Sequence, residues 1–554
     1  MTDSLSNLIT TDVATDVLVI GKGTSGRLTA QEIADQGFHV IVIDEANKDS
    51  ETIKNFEIFK RLIECQPENI SFALQESNPS NAIEYLSGTS LLHCQGMPGN
   101  FHLKLAQGNE ILDKTVGAIV IATDYVRSSL YENYGLHPSE KIISQTQMEE
   151  ILDSAHGQGL LGSKINNVAF VVGFGQEGNT LVMQRIMRCV RDLETHGCHS
   201  YIYVKNIKVA AEGLECLCCE SRQEGAIYFK LLEKPHISSD GHSIVSTDPV
   251  LGKELELNPD LIVIEEAFVA NRVHSRLAEV LRIDLGPWGF LQENNVHRFP
   301  VTTNREGIFV AGSSREVMNI SGMKQDAANV ALAVKQFLDQ GQKVVPEYIG
   351  IVDKEKCCFC LTCFRCCPHG AIFLEDKPVI SSLACQGCGI CASECPQDAI
   401  QILAYQDDVI KDTLKQEIVN SQTPKIIAFC CENSSYEAGR AAQTFQHSLP
   451  RGLRMIKVPC AGKIDLDYLF TAFTHGADGV MVLSCHEGNC KSVRGNTFAR
   501  HRVETLHHLM EEVGLAKERL MIATLASNMR HAFTKYACQM EETLQELGEN
   551  PMAS

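Results

Sequence analysis

The sequence has no surplus of basic residues: 49 Lys and Arg stand against 69 Asp and Glu, a formal net charge of −20. That deficit excludes a protein built for non-specific binding to nucleic acid or to an anionic membrane, since both need clustered Lys and Arg. No apolar run approaches the length of a membrane span, and the opening MTDSLSNLITTDVATD lacks a basic region followed by an apolar core. A cytoplasmic chain with no span of its own is the expectation. No spacing suggests a Ser-His-Asp set or a pair of working carboxylates, so no catalytic residue is nominated.

What is present is length and cysteine. At 554 residues, with 44% hydrophobic and 21% charged residues, the chain has the balance of a globular protein and divides into several domains. Of its 23 cysteines, fifteen fall between Cys357 and Cys490. In a reducing compartment such crowding points to metal ligation rather than to disulfides. The remaining eight suit small buried hydrophobes.

Three regions follow along the chain. Residues 1–345 alternate strands with helices, at DVLVIG, FHVIVID, VGAIVIAT, NVAFVVG, HSYIYVK, DLIVIEE and GIFVAG, which predicts a Rossmann-like α/β domain. Residues 346–405 are Cys-rich, punctuated by Pro368 and Pro396, with two similar halves reading CPHGAIFL and CPQDAIQI. A polar stretch, 406–423, reads as a linker. Residues 424–554 resume the alternation, with PKIIAFCC, RMIKVPC and GVMVLSC each ending on cysteine, and predict a small second α/β domain.

The middle region carries the most specific signal. Cys357, Cys360, Cys363 and Cys367 before Pro368, then Cys385, Cys388, Cys391 and Cys395 before Pro396, each satisfy C-x2-C-x2-C-x3-C-P, the run of bacterial ferredoxins with two [4Fe-4S] clusters. The fourth cysteine of each run ligates the other cluster. The expected sets are therefore Cys357, Cys360, Cys363 and Cys395, and Cys385, Cys388, Cys391 and Cys367. Zinc sites normally use paired rather than triple cysteine runs.

Near the start, Gly21, Gly23 and Gly26 follow a strand and open a helix, a turn whose backbone N–H groups can approach a pyrophosphate. Asp44, 18 residues after Gly26 at the end of the next strand, is placed to accept a ribose hydroxyl. NAD and FAD both satisfy this pattern. TTNREGIFVAG, ending on Gly312, has the form by which flavoproteins return the chain to the flavin, and it favours FAD. The competing reading is a Rossmann-like domain that keeps its fold without a ligand.

Taken together, VLVIGKGTSG, GMPGNFHLKL, VGAIVIATDY, PDLIVIEEAFV, GIFVAGSS, the two ferredoxin runs and GADGVMVLSCHEGNC resemble the HdrA family, the FAD and iron–sulfur component of heterodisulfide reductase, fused to an MvhD-like domain. QmoB of the quinone-interacting oxidoreductase complex has the same arrangement. The resemblance implies FAD contacts from Thr123 and Gly312 besides the three glycines and Asp44. The chain departs from the family at EANKDSETI after Asp44, where a second glycine pair is usual, and at Ala122-Thr123-Asp124 in place of Ala-Thr-Gly. Near the flavin edge, Met318-Asn319-Ile320-Ser321 stands where the family often has a Lys before Asp-Ile-Pro. In the MvhD-like part, Ser434 replaces the second cysteine of the first motif, leaving Cys431, Cys460, Cys485 and Cys490 for a [2Fe-2S] cluster, with Cys430 in reserve and His486 as a minor candidate. The implied function is electron transfer between FAD, the clusters and partner subunits, either HdrB- and HdrC-like or QmoA and a membrane-bound QmoC. The alternative is a flavin-free wiring and scaffold protein in which only the clusters act.

Overall fold

The computed structural model describes residues 8–44, 82–154, 159, 161–250, 252–286, 288–291, 300–338, 341–347 and 349–552. The EANKDSETI segment lies outside the described residues. Three parallel sheets organise the chain. β1 (Val17–Ile20), α1 (Thr24–Asp35), β2 (Val40–Ile43), β3 (Ile83–Leu86) and β4 (Ala118–Ile121) begin the first. The second is inserted after β4, with β5 (Ile142–Ser144), β6 (Asn167–Val172), α2 (Thr180–Thr195), β7 (His199–Val204), β8 (Ile227–Lys230) and β9 (Leu261–Ile264). The chain then returns to the first sheet through β10 (Ile308–Val310) and α3 (Ile320–Leu338).

Strand order is β10-β4-β1-β2-β3 in the first sheet and β5-β9-β6-β7-β8 in the second. Residues 8–345 thus form two Rossmann-like units rather than a single one. The runs VLVI, VIVI, AIVI and LIVI are buried throughout, as strands covered on both faces of a parallel sheet must be. Among the described residues no helix is long and apolar enough to cross a membrane.

In the Cys-rich region, Gly350–Val352 pairs antiparallel with Ile400–Ile402, and Ile372–Leu374 with Pro378–Ile380. Its two halves share a backbone although their side chains differ. Left-handed φ recurs at equivalent places: Phe359 (58°) and Gly387 (63°), Leu361 (63°) and Gly389 (79°), Gly370 (58°) and Asp398 (48°). Bulky residues such as Phe359 and Leu361 rarely adopt this region. Its retention in both halves marks a loop shape imposed by what the loop wraps.

The segment 406–423 is not a linker. Residues Asp407–Val419 form α4, whose Ile410, Leu414 and Ile418 enter the core of the terminal domain. Their i, i+4, i+8 spacing makes a narrow apolar stripe on an otherwise polar helix, and burial of that stripe holds it in place. The terminal sheet follows with β11 (Ile426–Cys431), β12 (Leu453–Val458), β13 (Gly479–Ser484), α5 (Gly495–Glu512) and β14 (Leu520–Thr524), in the order β12-β11-β13-β14.

Candidate iron–sulfur sites and dinucleotide cradle

Cys357, Cys360, Cys363 and Cys395 converge. A small cavity is lined by Cys357, Cys360, Cys363 and Cys395, together with Val352, Pro378 and Ile400. Cys360 is exposed and Cys357 half-buried. The Thr362 hydroxyl beside Cys360 holds its thiol below the usual range. In the second set, burial pushes Cys388 up to about 12 and Cys385 up to about 11, and Cys367 adds to both shifts. Cys391 lies well above its ordinary value, first from burial and then from Cys388, Cys367 and Cys385. Cys395 therefore neighbours the first run and Cys367 the second. The backbone N–H groups of Ala371 and Ala399 donate to the Cys367 and Cys395 sulfurs at 3.4 and 3.3 Å, one equivalent bond in each half. Such donors favour the thiolate over the thiol.

The terminal set is the tightest. Cys431, Cys460, Cys485 and Cys490 form one buried group at the C-terminal edge of the terminal sheet, and Cys388 of the ferredoxin packs against it. The Cys431 and Cys485 sulfurs lie 3.9 Å apart. Contacts with Cys460 and Cys485 push Cys431 and Cys490 down, while the same contacts push Cys460 and Cys485 up. Cys430 is excluded from the group. One residue along β11 it faces the other side of the sheet, where its thiol donates to the Ala428 carbonyl at 3.4 Å. A Cβ on Gly495 would overlap the Cys460 sulfur, so a residue without a side chain borders the nest. The buried Ser434 hydroxyl beside Cys431 has no hydrogen-bonded oxygen or nitrogen partner. His486 turns away, with Nδ1 2.8 Å from Thr524 Oγ1 and Nε2 3.3 Å from Met529 Sδ.

Four buried thiols in one group are the number a two-iron cluster takes, one pair to each iron. The ferredoxin sets fit a cube, whose irons each take a separate thiolate.

The two Cys-rich regions are locked together. Gly389 lies against the Lys463 side chain, whose Cδ would be 2.6 Å from an added Cβ. Lys463, 1% exposed, pairs with Asp407 and donates to Tyr468. Ser393 donates to the Lys463 carbonyl at 2.8 Å, and Arg502 pairs with Glu394. On the opposite side, Asn304 donates to the Pro368 carbonyl at 2.8 Å, which ties the ferredoxin to the Rossmann-like half.

The glycine turn closes against β2. Gly21 has φ +128°, and its N–H donates to Ile43 at 2.8 Å. Gly312 faces Ser25, with the Ser313 N–H donating to the Ser25 hydroxyl at 3.1 Å. Thr123 Oγ1 lies 2.6 Å from His274 Nε2 and 3.0 Å from the Ser314 hydroxyl. Asp44 accepts from the N–H groups of Gly88 and Thr89 at 2.8 and 3.2 Å.

The centre of the turn is filled by a residue the sequence showed only as a departure from Ala-Thr-Gly. The buried Asp124 carboxylate accepts the N–H groups of Thr24 and Ser25 at 3.0 and 3.3 Å. A Cβ on Gly23 would overlap it. Burial pushes the Asp124 carboxyl up, and the hydrogen bonds from Ser25 and Thr24 oppose that shift. With Asp124 so placed, the cradle does not fit a pyrophosphate.

Cysteine sets of this geometry on a doubly wound scaffold define an iron–sulfur protein. Through residues 426–548 the chain belongs to the methyl-viologen-reducing hydrogenase delta-subunit family. Residues 378–401 match the 4Fe-4S binding domain. The terminal region is 34% identical over 129 residues to the iron-sulfur component of the F420-non-reducing hydrogenase vhu of Methanocaldococcus jannaschii, covering 23% of this chain and 96% of that protein. Over 464 residues, 80% of its length, the chain is 25% identical to the A-type component of the ferredoxin:CoB-CoM heterodisulfide reductase of Methanosarcina mazei, of which it spans 58%. Among solved structures it is similar to Lactococcus lactis thioredoxin reductase, with a TM-score of 0.40 and 15% identity, covering 58% of this chain and 99% of that one.

Proposed function

We propose that the chain is an electron-transfer component of a multi-subunit oxidoreductase of the HdrA or QmoB kind, holding two [4Fe-4S] clusters and one [2Fe-2S] cluster. When bound, such clusters carry single electrons, while the protein sets their spacing, burial and exposure. The packing of Cys388 against the group of four terminal cysteines is the observation that supports a continuous relay. The ligand sets then run in a row. Cys357, Cys360, Cys363 and Cys395 lie at the exposed end, Cys385, Cys388, Cys391 and Cys367 in the middle, and Cys431, Cys460, Cys485 and Cys490 in the dry terminal nest. The Ser393 bond to the Lys463 carbonyl and the Arg502–Glu394 pair hold the last two sets in contact.

Partners of the HdrB and HdrC or QmoA and QmoC kind would meet the exposed end of this row, and any membrane attachment belongs to the partner. FAD, the group the glycine turn resembles, has no step in this relay because Asp124 fills its cradle.

Iron and sulfide analysis with electron paramagnetic resonance of the anaerobically purified full chain tests the reading. We expect about ten irons per chain from the three sets. Cys460→Ala should remove the terminal signal and narrow one four-iron signal through loss of spin coupling. Zinc in place of iron overturns the cluster assignment. Four-iron signals indifferent to Cys460→Ala overturn the order of the row.

A further inference from the structure

The Rossmann-like half contains a second glycine loop. Gly173, Gly175 and Gly178 follow β6 and precede α2, repeating G-x-G-x-x-G. This loop too is closed by an internal acid. The Glu265 carboxylate, 1% exposed, accepts the N–H groups of Gly173 and Gly175 at 2.8 and 3.2 Å and the Tyr134 hydroxyl at 2.6 Å.

Asp124 and Glu265 occupy the same topological place. β4 lies beside β1 with Ile121 opposite Ile20, and Asp124 follows β4. β9 lies beside β6 with Ile264 opposite Val171, and Glu265 follows β9. In both units the acid leaves the C-terminal end of the strand next to the glycine-bearing strand. That crevice is where open α/β sheets bind ligands, and the N–H groups lining it are the ones that hold phosphate.

We propose that Asp124 and Glu265 are built-in occupants of the two dinucleotide-phosphate sites, so that a dinucleotide enters either loop only by displacing a buried carboxylate. Each acid takes two backbone N–H donors of its own glycine turn, Thr24 and Ser25 for Asp124 and Gly173 and Gly175 for Glu265. The exchange replaces an intramolecular anion with one that loses translational freedom on binding, and this favours the self-capped state. The Rossmann-like half then acts as a platform on which the ferredoxin is seated through Asn304 and Pro368.

The test is dinucleotide binding to the full-length, cluster-loaded chain, followed by flavin fluorescence for FAD and by equilibrium dialysis for NADH. Iron content is measured on the same samples, so failure of the relay reading shows separately. Asp124→Gly should bind FAD at least about tenfold more tightly than the wild type, the scale of one charge-assisted hydrogen bond released to the ligand. Glu265→Ala should leave FAD binding unchanged and strengthen NADH binding by a similar factor. Asp124→Asn and Glu265→Gln keep the volume and remove the charge, and they serve where the smaller side chains cost the fold its clusters. One FAD per wild-type chain as purified, or equal dinucleotide affinity in the wild type and in folded variants, overturns the proposal.

Discussion

The sulfur of Cys431 lies 3.9 Å from that of Cys485, 54 positions further along the chain. Cys430, the immediate neighbour of Cys431, instead points to the Ala428 carbonyl on the other face of the sheet. Successive strand residues alternate faces, so neither can take the place of the other without a register shift. Cys431→Ala should therefore abolish the terminal electron paramagnetic resonance signal of the reduced full chain and lower its iron by about two. Cys430→Ala should leave both unchanged. The opposite pattern would mean that β11 presents its other face to the nest.

Leu414 on α4 is fully buried in the terminal core. Leu414→Ala should destabilise that domain by about 2–5 kcal/mol, the range for emptying a buried leucine site. A urea titration followed by the terminal cluster's absorbance reads this as a lower midpoint. An unchanged midpoint would restore the view of 406–423 as a tether.

Burial lowers the His274 pKa to about 4 while the Gly289 carbonyl opposes the shift, so the buried ring beside Thr123 is neutral at pH 7. A histidine in the unfolded chain titrates near 6.5. The folded state thus binds fewer protons. His274 costs no stability above about pH 6.5 and progressively more as pH falls towards 4, reaching about 3 kcal/mol. Thermal unfolding between pH 7 and 4 should show a shallower acid loss in His274→Gln than in the wild type. Parallel curves would rule out His274 as the source of that slope.

The ferredoxin sites were legible because their chemistry is local. Two-residue spacing keeps three thiols on one short loop wherever that loop lies, and the placing of Cys395 beside the first run and of Cys367 beside the second goes with the duplication of the motif. The strands were legible because short β-branched runs such as VLVI and VIVI have few alternatives to a covered parallel sheet. Helix α4 was hidden by composition. Its stripe of Ile410, Leu414 and Ile418 is one residue wide among Asp, Lys and Gln, and it becomes a core element only against β12 and the helix Leu466–Thr474.

What the sequence by itself determined is the set of parts: a glycine turn, two ferredoxin-type cysteine runs and cysteines at the ends of successive strands. Only the tertiary structure decided how those parts meet, because contacts between distant segments depend on sheet order and strand face. Asp124 is three residues beyond β4 and, in sequence, an ordinary loop acid. It becomes the occupant of the cradle because β4 pairs with β1, which brings its carboxylate over Gly23. Cys388 likewise belongs by spacing to the ferredoxin alone. It reaches the terminal thiols because Gly389 has no side chain to hold Lys463 away.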